Sequence, residues 1–194
     1  MRFDDTALSI LGEIGNISVG GAASSLSDFL DKTLVISIPN VRMLTFKEVK
    51  EQFEPAVLFA KVDFVEGMKG SNILLMKKEE AFQFSKIILK EKLSMEMTEW
   101  NQFSIDVLKE MINIMIGNMS SSMSDMFKRP IDIGVPQIIE QKASEVEFFV
   151  ENEQLITIWF ELRIENDFKF KFVKIMTEEQ AQEMIKILEE EHNL

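Results

Sequence analysis

The order of apolar and polar positions divides the chain into two similar runs of elements. Residues 4–30 predict a long helix, with Leu8, Leu11 and Ile14 on its apolar side and small residues (Gly20, Gly21, Ala22, Ala23) in its middle that permit close packing against another helix. Residues 34–39 and 41–46 are dominated by Val and Ile and interrupted by a proline, which predicts two extended segments. Residues 55–66 and 71–76 predict strands around a turn at Gly67 and Gly70. Residues 79–92 predict an amphipathic helix with Ala81, Phe82, Ile87, Ile88 and Leu89 as its apolar side. The second half repeats the order: a helix to about Phe127, then strands near 131–139, 145–150, 154–165 and 168–176. Thr177 opens a last helix, with Gln180 at the capping-box position and Met184, Ile185 and Leu188 as its buried stripe. Hairpin-length turns between strands imply a largely antiparallel sheet. The joint at 92–99 is too short and mixed for a flexible linker. The expectation is an α/β protein of the α+β type, a single domain over residues 1–194 made of two repeats (about 1–95 and 96–194). Its two halves are related by a pseudo-two-fold axis, and long helices flank the sheet.

The repeat is sharpest in its polar residues. Ser9, Glu13, Asn16 and Pro39 recur 97 residues later as Asp106, Glu110, Asn113 and Pro136, the pattern [Ser/Asp]-x3-Glu-x2-Asn-x22-Pro in both copies. Between residues 9 and 41, 11 of 33 positions match their partners, which makes the coincidence a duplication. Spacings of 4, 3 and 4 place Ser9, Glu13, Asn16 and Gly20 on one helix face, and Asp106, Glu110, Asn113 and Gly117 on its twin. One such face is most simply solvated surface. A solvated face tolerates Lys, Gln, Arg or Asp in any order, however, and does not explain the same Glu and Asn twice. Gly20 and Gly117 each weaken a helix interior by about 1 kcal/mol relative to Ala. That predicts close approach of another backbone at both, from this chain or from a partner.

Composition narrows the partners. A net charge of -12 without a dense Lys/Arg stripe disfavours nucleic acid and anionic membrane and favours a basic protein surface. No apolar run approaches the roughly 18 to 20 residues of a membrane span, the N-terminus lacks a secretory pattern, and there is no cysteine. Together these fit a cytoplasmic domain. His192, the only histidine, sits two residues from the end and is expected to be free, which leaves no His-based triad or metal cluster. Gly12, Gly15, Gly20 and Gly21 lack the Gly-Lys-Ser/Thr of a phosphate loop. Ser24, Ser25 and Ser27, repeated as Ser121, Ser122 and Ser124, are expected to pack helices, and Asp28 and Asp125 to help end them. Trp100 and Trp159 are expected in the core or half in it, and the 13 Met and 16 Phe to be core filler.

The doubled motif resembles that of the CheC/CheX/FliY phosphatases of bacterial chemotaxis, over nearly the whole chain. The run Leu11-Gly12-Glu13-Ile14-Gly15-Asn16-Ile17-Ser18 is most similar to the CheC-like domain of the FliY branch. The length leaves no region for the FliN-like domain that follows in FliY, so a FliY phosphatase portion or a stand-alone CheC is expected. The resemblance implies a CheC-like fold and hydrolysis of the aspartyl phosphate of the response regulator CheY. An acyl phosphate is already labile, so a helper needs only to place a water in line and complete the charge pattern. Asn16 and Asn113 suit the water, because a carboxamide both accepts and donates without adding negative charge. Glu13 and Glu110 then dock the receiver by pairing with its active-site lysine. Ser9 and Asp106 support the Glu or touch the partner, and Gly20 and Gly117 lie beside them as partner contacts. No cofactor of its own is implied, because the receiver supplies Mg2+. The implied partners are phosphorylated CheY, flagellar switch proteins or CheD, and the implied place is the cytoplasmic face of the flagellar motor. The alternative is a non-catalytic binding or scaffold module for the same partners. Both copies keep Glu and Asn, while Gly12 and Gly15 stand against Lys109 and Ile112, so unequal activity is expected.

Overall fold

A computed structural model describes residues 3–53, 56–164 and 168–192. The predicted strand ends Pro55 and Glu165 fall outside these, as does the side chain of His192. Helix α1 (Asp5–Leu30) starts where the Asp4 carboxylate accepts the Ala7 N–H at 2.9 Å. Helix α4 (Gln102–Phe127) starts where Asn101 accepts from the Phe103 and Ser104 N–H groups. Both helices are 26 residues long, and their bounds differ by the same 97 positions as the motif. Each ends on a left-handed residue, Asp31 (φ 53) or Lys128 (φ 50). The repeated serines then tie each helix end to the following segment. Ser27 Oγ donates to the Ala23 carbonyl (2.9 Å) and accepts the Leu34 N–H (3.0 Å). Ser124 Oγ donates to the Ser120 carbonyl (3.0 Å) and accepts the Ile131 N–H (2.9 Å). These caps end the helices. Asp28 and Asp125, expected in that role, stand exposed instead.

After α1 come β1 (Leu34–Ile36), β2 (Asn40–Thr45), the short helix α2 (Phe46–Glu51), β3 (Ala56–Glu66), β4 (Ser71–Lys77) and α3 (Lys78–Leu93). After α4 come β5 (Asp132–Ile133), β6 (Gln137–Lys142), a 3-10 turn (Ala143–Glu145), β7 (Gln154–Ile164), β8 (Phe168–Thr177) and α5 (Glu178–His192). Every strand pairing is antiparallel. The sheet runs β1-β7-β8-β4-β3-β5, with β2 also on β7 and β6 also on β3. Strands of the first repeat therefore close the edge of the second, and the reverse, while β4 and β8 meet in the middle.

Three expectations are corrected. The strand predicted at 131–139 is split, because residues 134–136 leave the ladder at Gly134 and Pro136. The strand predicted at 145–150 does not form. Val146 is buried there, and Phe148 and Phe149 plug the core edge-on against Phe59 (5.0 Å) and Phe46 (5.3 Å). The extended run at 41–46 stops at Thr45, which with Glu48 makes a reciprocal capping box and starts α2. The predicted box of the last helix is present, with Thr177 and Gln180 exchanging bonds of 3.2 Å.

The sheet carries a core on each face. One buries α1, α3, α4 and α5 against Leu58, Leu74, Ile158, Phe160, Phe170 and Phe172. The smaller one covers the other face with Phe46, Phe53, Ala143 and Val146. In α3, Phe84 and Ser85 point inward, while Phe82 and Ile87 are only partly covered. The buried positions of α1 map onto those of α4 through the same offset: Leu11 on Leu108, Ile14 on Met111, Ser18 on Met115, Ala22 on Met119 and Leu26 on Met123. Four methionines at i+4 spacing thus fill in α4 what smaller or branched residues fill in α1, which explains part of the methionine excess. Trp100 and Trp159 are half-buried, with ring N–H groups bonded to Glu140 (2.9 Å) and Thr157 (3.0 Å).

Candidate functional site

Burial of Leu11, Ile14, Gly15 and Ser18 turns the opposite side of α1 outward. Ser9, Glu13, Asn16 and Gly20 are all exposed. Gly15 lets the helix lie close on the sheet, since a Cβ there would stand 3.3 Å from Ile158 Cγ2. In α4 the same rotation exposes Asp106, Glu110 and Asn113 and leaves Gly117 half-exposed. The side chains of Glu13, Asn16, Glu110 and Asn113 make no hydrogen bond or ion pair with any described residue. The buried Ser18 hydroxyl, by contrast, is committed: its Oγ donates to the Ile14 carbonyl at 2.6 Å.

The motif proline shares a groove with the first face. Asp5, Leu8, Ser9, Gly12, Glu13, Asn16, Ile38, Pro39 and Val41 line a cavity of about 400 Å³. Backbone geometry explains the x22 spacing. From Asn16 the helix descends 14 residues to Leu30, about 21 Å at 1.5 Å per residue. The extended stretch from Thr33 returns about 20 Å at 3.3 Å per residue, which brings Pro39 level with Asn16. A second groove, about 680 Å³ and mostly apolar, runs along the other side of Ser9 and Glu13, lined by Ile10, Ile14, Ile17, Met126 and Leu188. Ser9 and Glu13 thus form a polar ridge between two grooves.

The two faces are not equivalent in charge. Asp106 accepts from Gln102 Nε2 at 2.9 Å and lies 3.9 Å from Lys109 Nζ. Gly12 occupies the Lys109 position in the first repeat, so a cation stands on the second face where the first has none. The expected close approach at Gly20 and Gly117 is not made by this chain: a Cβ at either would have nothing within 4 Å among the described residues. The tight contact is one residue on, where a Cβ at Gly21 would stand 2.8 Å from Ser122 Oγ of α4.

Sequence reasoning did not single out Leu8, Ile38 and Val41, the apolar lining of the first groove. The one available signal was an aliphatic residue before both motif prolines, Ile38 and Val135. Among the described residues, no group of three or more Asp, Glu or His is placed to hold a metal ion, and no helix is long and apolar enough to cross a membrane.

Known proteins resemble this chain in sequence and in fold. Residues 7–42 match the CheC-like family and residues 58–161 match the family of the chemotaxis phosphatase CheX, so each match contains one Glu/Asn helix. The flagellar motor switch phosphatase FliY of Bacillus subtilis (strain 168) is 34% identical over 71 residues, which cover 37% of this chain and 19% of that protein. The chain thus matches about a fifth of that relative's length. The crystal structure of Thermotoga maritima FliY superposes with a TM-score of 0.87 at 24% identity, covering 98% of this chain and 99% of the other. A chain of the FliG-FliM complex from H. pylori superposes with a TM-score of 0.75 at 16% identity, covering 95% and 100%. These two share the fold. With residues 58–161 alone making up more than half of its length, the chain belongs to the CheC/CheX/FliY family.

Proposed function

We propose that this chain is a phosphatase that hydrolyses the aspartyl phosphate of the chemotaxis response regulator CheY. The observation that carries the reading is the pair of Glu/Asn faces, exposed at equivalent positions of two helices, with all four side chains uncommitted. The receiver brings its own phosphoryl group, Mg2+ and lysine. Glu13 or Glu110 pairs with that lysine and fixes the register. Asn16 or Asn113 holds a water in line with the phosphorus. As the water oxygen bonds to phosphorus, the bond to the aspartyl oxygen breaks, and the carboxylate and inorganic phosphate leave. Positioning and charge pattern supply the catalysis, because the leaving group needs no protonation. The acidic chain adds no cation to the phosphoryl oxygens at the first face, and Lys109 adds one at the second.

The flagellar motor switch in the name of one relative and the FliG-FliM complex in that of a superposing chain support a second reading, a non-catalytic binding module for the receiver or for switch components. The two readings separate on the division between Glu and Asn. Replacing Glu13 and Glu110 by Gln weakens receiver binding under both. Replacing Asn16 and Asn113 by Ala leaves binding within about threefold and abolishes turnover only if the chain is a phosphatase. Binding by titration and phosphate release from CheY phosphorylated with a small phosphodonor give the two readouts.

A further inference from the structure

Ile38 and Val135 occupy the same position in the two repeats, each immediately before the motif proline, and their side chains are 87% and 85% exposed. A single exposed aliphatic residue is ordinary on a protein surface. This pair differs in being kept twice. Val35, another exposed aliphatic residue on the same stretch, is matched by Asp132, and Ser37 is matched by Gly134. The neighbouring positions have thus drifted in polarity while a branched aliphatic side chain still points outward at both 38 and 135.

The residue before each is tied to a neighbouring strand. The Ser37 N–H donates to the Glu161 carbonyl (2.9 Å), and Ser37 Oγ accepts the Glu161 N–H (3.0 Å). In the other repeat the Gly134 N–H donates to the Asp63 carbonyl (2.8 Å). The following proline fixes its own φ in each case. Ile38 thus stands on a pinned tip at the rim of the groove that holds Glu13 and Asn16. It also lines an adjoining groove of about 480 Å³ with Arg42, Lys77 and Lys171.

We propose that Ile38 and Val135 are the apolar docking contacts of the two faces, each packing on the surface of a phosphorylated receiver domain beside the aspartyl phosphate. The proposal rests on the reading of these faces as receiver sites and adds the residues that give them affinity. The Glu/Asn faces are polar and solvated, and a charged pair at a wet surface contributes little net binding. A preordered aliphatic side chain buried at the rim contributes about tenfold in affinity without disturbing the charge pattern at the phosphorus.

The test is titration of Ile38→Ser, Val135→Ser and the double variant with CheY carrying Mg2+ and beryllofluoride, alongside turnover of phosphorylated CheY. The double variant is expected to raise Kd and KM about tenfold and to leave kcat within twofold of the parent. Its melting temperature stays unchanged, since both side chains stand in solvent. Val150→Ser, at a 72% exposed residue lining neither groove, behaves as the parent. A double variant that binds the activated receiver within twofold of the parent overturns the proposal. So does a variant that only shifts self-association, which would assign the tips to a second copy of this chain. Loss of binding in the Ile38 and Val135 double variant, with a parent chain that binds the activated receiver but does not accelerate phosphate loss, would sustain the docking contacts and remove the phosphatase reading. A parent chain that binds no activated receiver removes both.

Discussion

A carboxamide and a carboxylate one helical turn apart are not interchangeable, because only one of them adds charge beside a phosphoryl group. Asn16→Asp and Asn113→Asp preserve shape and introduce that charge. Together they are expected to slow phosphate release at least tenfold, with little change in melting temperature, because neither Asn bonds to the described residues. Lys174 is a different residue-scale case. The alternation of β8 turns Phe170, Phe172, Lys174 and Met176 toward the helices, and the cross-strand neighbours of Lys174 are Leu74 and Ile158. Burial among them lowers its pKa from 10.5 to about 8. The unfolded chain therefore holds a proton between pH 8 and 10.5 that the folded chain has released, so stability rises with pH across that window. Below pH 8 the buried charge costs about 3 kcal/mol. Lys174→Met is expected to recover most of that at pH 7 and to flatten the rise, read by urea denaturation at pH 7 and pH 10. A single lysine among apolar neighbours carries no mark in the sequence that separates it from the exposed Lys169 and Lys171.

At the scale of elements, the glycines and serines of α1 and α4 carry separable roles. Gly20→Ala and Gly117→Ala meet no neighbour and remove a flexible residue from a helix interior, so each is expected to stabilise by up to about 1 kcal/mol. If a partner approaches there, the same variants weaken receiver binding while raising the melting temperature. Gly21→Val drives a side chain into Ser122 Oγ and is expected to destabilise by about 2 kcal/mol. Ser27→Ala and Ser124→Ala each strip a partner from a strand N–H and are expected to cost about 1 to 3 kcal/mol by the same measurement. The sequence pattern made α1 legible to within a residue and gave the end of α4 at Phe127, and with them the face of Glu13 and Asn16. What failed was a matter of single residues. Gly20 and Gly21 are adjacent, and only the helix rotation decides which one meets α4. Helix α2 is six residues long, too short for periodicity, although Thr45-x-x-Glu48 carried a readable cap. The run Val146 to Val150 has strand composition, yet Val146, Phe148 and Phe149 turn into the smaller core instead of pairing with a strand.

At the scale of the whole molecule, the two repeats exchange their sheet edges. Among the described residues, strands β1 and β2 pair with β7 and with no strand of residues 1–95, and β6 pairs with β3 in return. Residues 1–95 or 96–194 expressed alone are therefore expected to stay largely unfolded by circular dichroism and to regain structure on mixing. The helices that carry the two Glu/Asn faces also pack on each other, α1 meeting α4 where Gly21 faces Ser122. The inequality of the faces belongs to this scale as well, since Lys109 charges only one of them. The most direct test follows phosphate loss from phosphorylated CheY in the presence of the parent chain, Asn16→Ala, Asn113→Ala and the double variant. Each single variant is expected to retain part of the acceleration, in unequal shares, and the double variant to fall to the spontaneous rate of CheY alone. A double variant as fast as the parent would contradict the assignment of these faces as the catalytic sites.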